Sequence, residues 1–481
     1  MTSVGRRLTV LLVVYAAALA GWSWFSSTVA PGLILDAMAG DAGPALDRAV
    51  RWFARNRPAE VVLREWREAA PAVAGALALH AGLVVMIGVW SRRGSPAGSW
   101  PRAAASAFLA VASLAFLVAT ALVGAIQDYY LYLQIWGEVL AGRDPWFLVL
   151  GGGGYWYSLN AYGPLYNALA IPTLWNPLAP KLIFAAAYWA FASWLALDLA
   201  GRRGRPGWAS LALAAWFATP YAWVEIAHFG HFDVLVALLA IAAAEARARG
   251  RWKSGAAWLT AGVLLKYFPA VLAPFLALDR GRVRWRWLAA TAGLSLAGLA
   301  VAGLAWGPSV VRPISLAVGR ESAYLSIFYA LRGPLSPIGR DTLFFSTDEY
   351  ATPILLLALY RAWTWARRTR LDPLAAGVLA IATTLLFYKV GFPQYYMLLF
   401  LMAPYWYVRD FDRLRLRGPL AATYLACFGW IGWFDVKTAQ ESVGRIVPWA
   451  GVPTFLLMLG LTLCIAFGGP REDPEAVEAS A

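Results

Sequence analysis

The sequence predicts an all-α integral membrane protein, with about 12 transmembrane helices plus re-entrant or interfacial helices. Composition is the first reason. Of 481 residues 60% are hydrophobic and only 14% charged, too few polar side chains to cover a soluble surface, so the surplus apolar area must face lipid. The second reason is the apolar runs, many of which reach the roughly 18 to 25 residues that carry a helix across a hydrocarbon core of about 30 Å. The third is where the charge lies. The net +14 collects in short clusters between those runs, at Arg92 and Arg93, at Arg202, Arg203 and Arg205, from Arg247 to Lys253, from Arg280 to Arg286, from Arg367 to Arg370, and from Arg413 to Arg417. That is the positive-inside pattern; it is not the basic face of a soluble nucleic-acid-binding module, so no nucleic-acid partner is expected. Cys427 and Cys464, the only cysteines, sit inside apolar stretches and offer neither a disulfide framework nor a metal site.

The chain begins with Arg6 and Arg7 ahead of an apolar run from 8 to about 27, longer than a signal-peptide core and followed by Pro31, so an uncleaved anchor is favoured over a signal peptide. Residues 28–70 balance six acids against six arginines and carry Trp52, Phe53 and Trp66, as expected of an outer loop with helices at a membrane surface. Spans follow near 71–90 and 103–126, with Arg92, Arg93 and Arg102 inside the cytoplasm between them. Residues 1–102 thus form a two-span addition ahead of a core at 103–467.

From 128 to 180 the chain is broken by Gly and Pro and rich in aromatics, which reads as an outer loop with interfacial or half-inserted helices. Further spans fit near 181–200, 208–224 and 233–246. Residues 255–278 pose a conflict, since a single crossing would put the arginines at 280–286 outside. Lys266, Tyr267 and Pro269 interrupt its middle, and a hairpin of two short helices returning to the cytoplasm satisfies both observations. A span near 287–306 leads to a second outer loop at 307–349. Spans near 350–366, 374–388, 394–408, 419–434 and 448–467 complete the body, and the acidic tail 468–481 is expected to be disordered in the cytoplasm. No internal repeat of the kind found in many transporters is visible.

Asp128 follows directly on an apolar span and opens Asp128-Tyr129-Tyr130. A carboxylate at that depth can serve as a base toward a hydroxyl at the lipid surface, or simply cap the loop in solvent. Lys266, an ammonium within an apolar hairpin, either marks a polar pathway or snorkels to the interface. Lys389, between two apolar spans, either contacts an anion or ends a span. His228, His231 and Asp233 raise the question of a divalent metal, since neutral imidazoles and a carboxylate suit one, but their spacing is not diagnostic, so a metal is not favoured and no cofactor is assigned. His231 suits a donor to phosphate or sugar as well as a structural hydrogen bond. Arg143 and Asp144 can pair with each other or hold the loop, and Arg320 and Glu321 in the later loop can face the same cavity. Tyr129, Tyr130, Trp136, Trp156 and Tyr162 can stack on sugar rings, although interfacial belts collect such residues without any ligand. The glycines at 151–154 suggest a turn; no Lys-Ser or Lys-Thr follows them as a phosphate loop requires.

The segment running from Asp128 and Tyr129 through Gly142-Arg143-Asp144-Pro145-Trp146 to Tyr162-Gly163-Pro164-Leu165 resembles the first outer loop of the GT-C glycosyltransferases, in particular the bacterial polyprenol-phosphate-mannose-dependent mannosyltransferases. The match is partial. Trp146 stands where that group usually has Tyr, and Gly163 where it has the first Pro of Tyr-Pro-Pro-Leu. Phe229-Gly230-His231-Phe232-Asp233 resembles the family's Gly-Gln-Phe-Asp, Gly262 to Pro269 its Gly-Leu-x-x-x-Lys-x-x-Pro, and Lys389 to Tyr395 its late Lys/His-x-x-Gln-Tyr segment.

The resemblance implies a GT-C type fold and inverting transfer of a hexose, mannose first, on the extracytoplasmic face. The donor would be a polyprenyl-phosphate sugar and the acceptor a lipid or glycan, within the membrane lipid. It also implies Asp128 as general base, Lys266, His231 and Lys389 on the donor phosphate, and Tyr129, Arg143, Tyr162, Asp233, Gln394 and Tyr395 around the substrates. A transporter or flippase of lipid-linked sugars, and a non-catalytic envelope-assembly protein, share the polytopic plan. The first predicts a pathway open alternately to both sides and the second tolerance of Asp128→Asn. No cytoplasmic segment is long enough for the α/β domain of a nucleotide-sugar enzyme.

Overall fold

The computed structural model describes residues 3–45, 47–48, 50, 58–93, 99–126, 128–146, 160–314, 320–332, 347–440 and 446–470. Trp52, Phe53, Trp156, the glycines at 151–154, parts of the second outer loop and all of the tail beyond 470 lie outside them. Among the described residues the fold is all-α apart from two short strand pairs, Leu278–Asp279 with Arg282–Val283 and Ala323–Tyr324 with Val390–Gly391.

Among the described residues six helices are long and apolar enough to cross a membrane: Thr9–Ala39, Ala59–Arg92, Trp100–Val123, Ala179–Arg202, Trp285–Trp306 and Val447–Gly468. A seventh arises if Pro220–His228 and Asp233–Ala248, bent by 112°, count as one span. This is the architecture of a multi-pass membrane protein, but with six or seven candidate spans in place of about 12. The physical reasons are local. Gly207–Phe217, Pro373–Phe387 and Met397–Asp410 have 11, 15 and 14 residues, and at about 1.5 Å per residue none covers about 30 Å. Thr347–Thr369 is long enough but carries Asp348, Glu349, Arg361, Arg367 and Arg368, while Arg417–Ala439 dilutes its apolar residues with Gly, Tyr and Trp. Pro373–Phe387 is instead an interior helix, buried on every side from Pro373 to Leu386, so its apolar circumference serves packing against protein.

The chain forms two compact units. The first comprises Met1–Leu133, Ile171–Ala218 and Ile226–Gly230. The described part of the expected loop at 28–70 is largely helical: Ala30–Ala39 extends the first span and Ala59–Arg92 starts well before residue 71. Trp22 Nε1 donates to Ala70 O at 2.8 Å, and His80, itself bonded to Tyr15, reaches Ala110 O at 2.7 Å. Arg102 was expected as an inside charge. It is buried, and its guanidinium takes the carbonyls of Trp90, Ser91, Arg93 and Leu197, so it ties the end of the helix Ala59–Arg92 to the helical segment around Leu197.

The second unit comprises Gln134–Ala170, Thr219–Glu225 and His231–Ala481. Trp252–Leu265 stops at Lys266, whose backbone is extended (φ −151°, ψ 125°), and the chain resumes as a 3₁₀ turn, Phe268–Leu272, and a short helix, Ala273–Leu276. Pro269 blocks a continuous helix by lacking an amide. Arg247, just before Trp252, donates to Leu276 O at 3.1 Å and Leu278 O at 3.4 Å. The far end of the broken segment therefore returns to the level of its start, the geometry expected of a hairpin with Lys266 at its tip. At the same end Arg409 pairs with Asp372 at 3.4 Å and with Glu245 at 3.5 Å, while Asp372 caps the buried helix through Leu374 N.

Candidate functional site

In the first unit, Asp128 is the half-buried first residue of the helix Asp128–Leu140. Tyr129 is fully buried and donates its hydroxyl to Pro177 O at 2.8 Å. Over its ring lies the ammonium of Lys181, which has no exposed surface and donates to Gly124 O at 2.8 Å and His228 O at 2.9 Å. Gly230 completes the arrangement. It has φ +71°, and a Cβ there would overlap the Tyr129 ring, so the Phe229-Gly230 turn closes only on glycine. The path into Asp128 is thus anchored at Gly124 by a buried lysine.

In the second unit four segments far apart in sequence meet at Lys266. Its Nζ pairs with Asp233 Oδ1 at 2.5 Å, both side chains being buried. It also faces three aromatic rings, Tyr395 at 4.5 Å, Phe232 at 5.6 Å and Tyr162 at 5.8 Å from the centroids. Cation–π attraction and one ion pair together offset the desolvation of the ammonium. Tyr162 is held there by its neighbour, since the Gly163 amide donates to Leu265 O at 3.2 Å and a Cβ on Gly163 would overlap the Leu264 carbonyl. The Gly at this position, where the resembling family has Pro, therefore supplies an amide and a close backbone approach that Pro would forbid.

Tyr395, stacked on Phe268, lies on the 3₁₀ turn Pro393–Tyr396 beside half-buried Gln394. Its hydroxyl accepts from Arg320 Nη1 at 3.1 Å, and the Arg320 guanidinium also lies 5.7 Å from the Phe392 ring centroid. Backbone bonds fasten this loop to the segment at 389–391, from Ala323 N to Lys389 O and from Leu325 N to Gly391 O. Lys389 is buried beside that strand pair. Glu321, Arg320's neighbour, instead pairs with Arg332 at the surface.

His231 does not point to a ligand through Nδ1, which bonds Glu225 Oε2 at 2.5 Å in the interior. Glu225 in turn lies near the fully buried carboxyl of Asp435, so two acidic side chains share this part of the interior. Arg143 is exposed and forms a bidentate pair with Glu138, whose carboxyl it holds below the usual carboxylate range. Asp144 accepts from Trp146 N at 2.9 Å to close its turn. Of the two alternatives for Arg143 and Asp144, these contacts fit holding the loop rather than pairing with each other.

Lys181, Glu225 and Asp435 were not singled out from the sequence. Their signal is an ionisable residue against an apolar stretch, but Lys181 is the first residue of the expected span at 181–200, where a cation ends a helix without remark, and Glu225 and Asp435 fall one residue beyond the expected spans at 208–224 and 419–434, where a carboxylate passes for a loop residue. Among the described residues no group of three or more His, Cys, Asp or Glu is arranged to hold a metal ion, since His231 and Asp233 are turned to different partners. Comparison with protein-family models and with curated proteins finds no match to this chain.

Proposed function

We propose that this protein is a membrane glycosyltransferase of GT-C type that transfers a hexose, mannose first, from a polyprenyl-phosphate donor to a lipid or glycan acceptor on the extracytoplasmic side. What supports the reading is the convergence on Lys266: Tyr162, Phe232 with Asp233, Lys266 itself and Tyr395 belong to four separate segments that carry the sequence resemblance, and they surround one buried ammonium. A lipid phosphate leaving group needs a cation close to the apolar phase, and a desolvated lysine supplies it.

In the reaction the Asp128 carboxylate takes the proton of the acceptor hydroxyl as its oxygen bonds the anomeric carbon. The bond from that carbon to the phosphate oxygen breaks on the opposite side, and the polyprenyl phosphate leaves with the electron pair, its new charge stabilised by Lys266. Configuration inverts. The test uses purified, reconstituted protein with a panel of short-chain polyprenyl-phosphate sugars and a natural lipid extract. Consumption of one donor by wild type and not by Asp128→Asn is the expected result; donors left intact by wild type with acceptor present refute the transferase.

A further inference from the structure

Two groups at this site remain unused by the transfer reaction as just described. One is Asp233 Oδ2. Asp233 gives one oxygen to Lys266; the other is buried and, among the described residues, has no hydrogen-bond partner. A buried acceptor without a donor is unstable unless a ligand or water supplies one. An ionised phosphate diester has no hydrogen to give, so the missing partner is an O–H or N–H donor.

The other is Arg320. Its guanidinium has five N–H donors, and its contacts in this cluster are the Tyr395 hydroxyl at 3.1 Å and the Phe392 ring. Tyr395 has the Lys266 ammonium over its ring face, 4.5 Å from the centroid, so the two cations flank one tyrosine. The loop bearing Arg320 is built into this place: the pairing of Ala323–Tyr324 with Val390–Gly391 fixes it, and a Cβ on Gly391 would overlap the backbone of Leu325 and Ser326.

We infer that the Lys266 cluster holds a glycosyl phosphate at two additional points, the phosphate on Arg320 across Tyr395 from Lys266, and a sugar hydroxyl on Asp233 Oδ2. This rests on the transferase reading and deepens it. Arg320 reads the anion, Asp233 reads the sugar, and the carboxylate next to the phosphate-binding lysine discriminates against a phosphate that brings no hydroxyl, because its second oxygen then stays unpaired. A guanidinium also favours an anionic group with two acceptor oxygens, as a phosphate has, over a neutral headgroup.

The test is equilibrium binding to the full-length protein in detergent, without acceptor, of three probes: a hexosyl isoprenyl phosphate, the isoprenyl phosphate without sugar, and inorganic phosphate. Arg320→Gln is expected to weaken both isoprenyl probes by about tenfold, with partial recovery in Arg320→Lys. Asp233→Asn keeps an oxygen for Lys266 and replaces the other by a donor, so it is expected to weaken only the hexosyl probe, by about tenfold. Equal losses for the two isoprenyl probes in Asp233→Asn, or no loss in Arg320→Gln, overturn the inference, as does inorganic phosphate binding as tightly as the hexosyl probe. If Asp233→Asn does not fold, monodeoxy hexosyl probes on wild type carry the same test: one missing hydroxyl must cost binding and the others not. Donors turned over by wild type but bound alike by these variants sink the inference and leave the transferase standing; donors bound with the expected pattern and never turned over sink the transferase alone.

Discussion

The Gly163 amide donates to the Leu265 carbonyl at 3.2 Å, and through that one bond Tyr162 and Lys266, each a neighbour of a bonded residue, are held against each other. The approach is so close that a Cβ on Gly163 would overlap the Leu264 carbonyl. Gly163 is not at positive φ, so the penalty for a side chain is steric. Gly163→Ala is expected to cost about 1–3 kcal/mol through forced backbone displacement. Gly163→Pro, which restores the pattern of the resembling family, is expected to do worse by also removing the donor. Thermal unfolding in detergent checks both, and a Pro variant as stable as wild type would mean that the backbones can separate without loss.

The Lys266–Asp233 pair separates stability from binding. Lys266→Met leaves a buried carboxylate without its cation and is expected to cost about 3–5 kcal/mol. Replacing both partners, by Lys266→Met with Asp233→Leu, removes the uncompensated charge and is expected to recover most of that loss while donor consumption stays abolished. A double variant that regains activity with stability would reduce Lys266 to a structural ion pair.

Much of this was legible in the sequence because it follows from local rules. The apolar runs at 100–123, 285–306 and 447–468 needed only length and hydropathy, and the broken hairpin followed from Lys266 and Pro269 between apolar flanks. The span count was not legible. A run of 14 or 15 apolar residues looks alike whether it thins out in lipid or packs all round, and for Pro373–Phe387 only the burial of every face decides. Arg102 shows the same limit for charge: its place among other arginines suggested a solvated loop, whereas its carbonyl partners lie at sequence separations up to 95 residues. At the site, Lys266 stands out as an ammonium in an apolar hairpin, Asp233 by its closeness to two histidines and Tyr162 as an aromatic that can stack on a sugar, while Tyr395 enters only through the family resemblance; that they share one ammonium is a tertiary fact. Glu225 and Asp435 stayed hidden because each sits at the edge of an apolar stretch, where a carboxylate usually meets water.

Arg143 offers a contrast within the predicted site set. Its pairing with Glu138 is at the surface, where screening by solvent and salt leaves such pairs little to contribute. Arg143→Gln is therefore expected to leave the melting temperature and donor consumption unchanged at physiological ionic strength. A selective loss of donor or acceptor affinity, measured as KM with folding intact, would restore Arg143 to the substrate site.

Lys181 makes the sharpest separation in the first unit. Its partners are two carbonyls, Gly124 and His228, and a tyrosine face, none of which neutralises its charge. In Lys181→Met two carbonyls lose a donor, at about 1–3 kcal/mol each, but the cost of keeping an ammonium out of water also disappears, so the two terms oppose and the net change in stability is expected to be small. Turnover should respond differently. Gly124 precedes Asp128 by one short turn, and without the lysine the helix start that carries the carboxylate loses its anchor; a misplacement on the order of 1 Å can cost about a hundredfold in rate. The expected outcome is a melting temperature near that of wild type with kcat reduced far more than KM is raised. If stability and kcat fell together, Lys181 would be holding the fold alone; if neither moved, the Gly124 carbonyl would not be what orients Asp128.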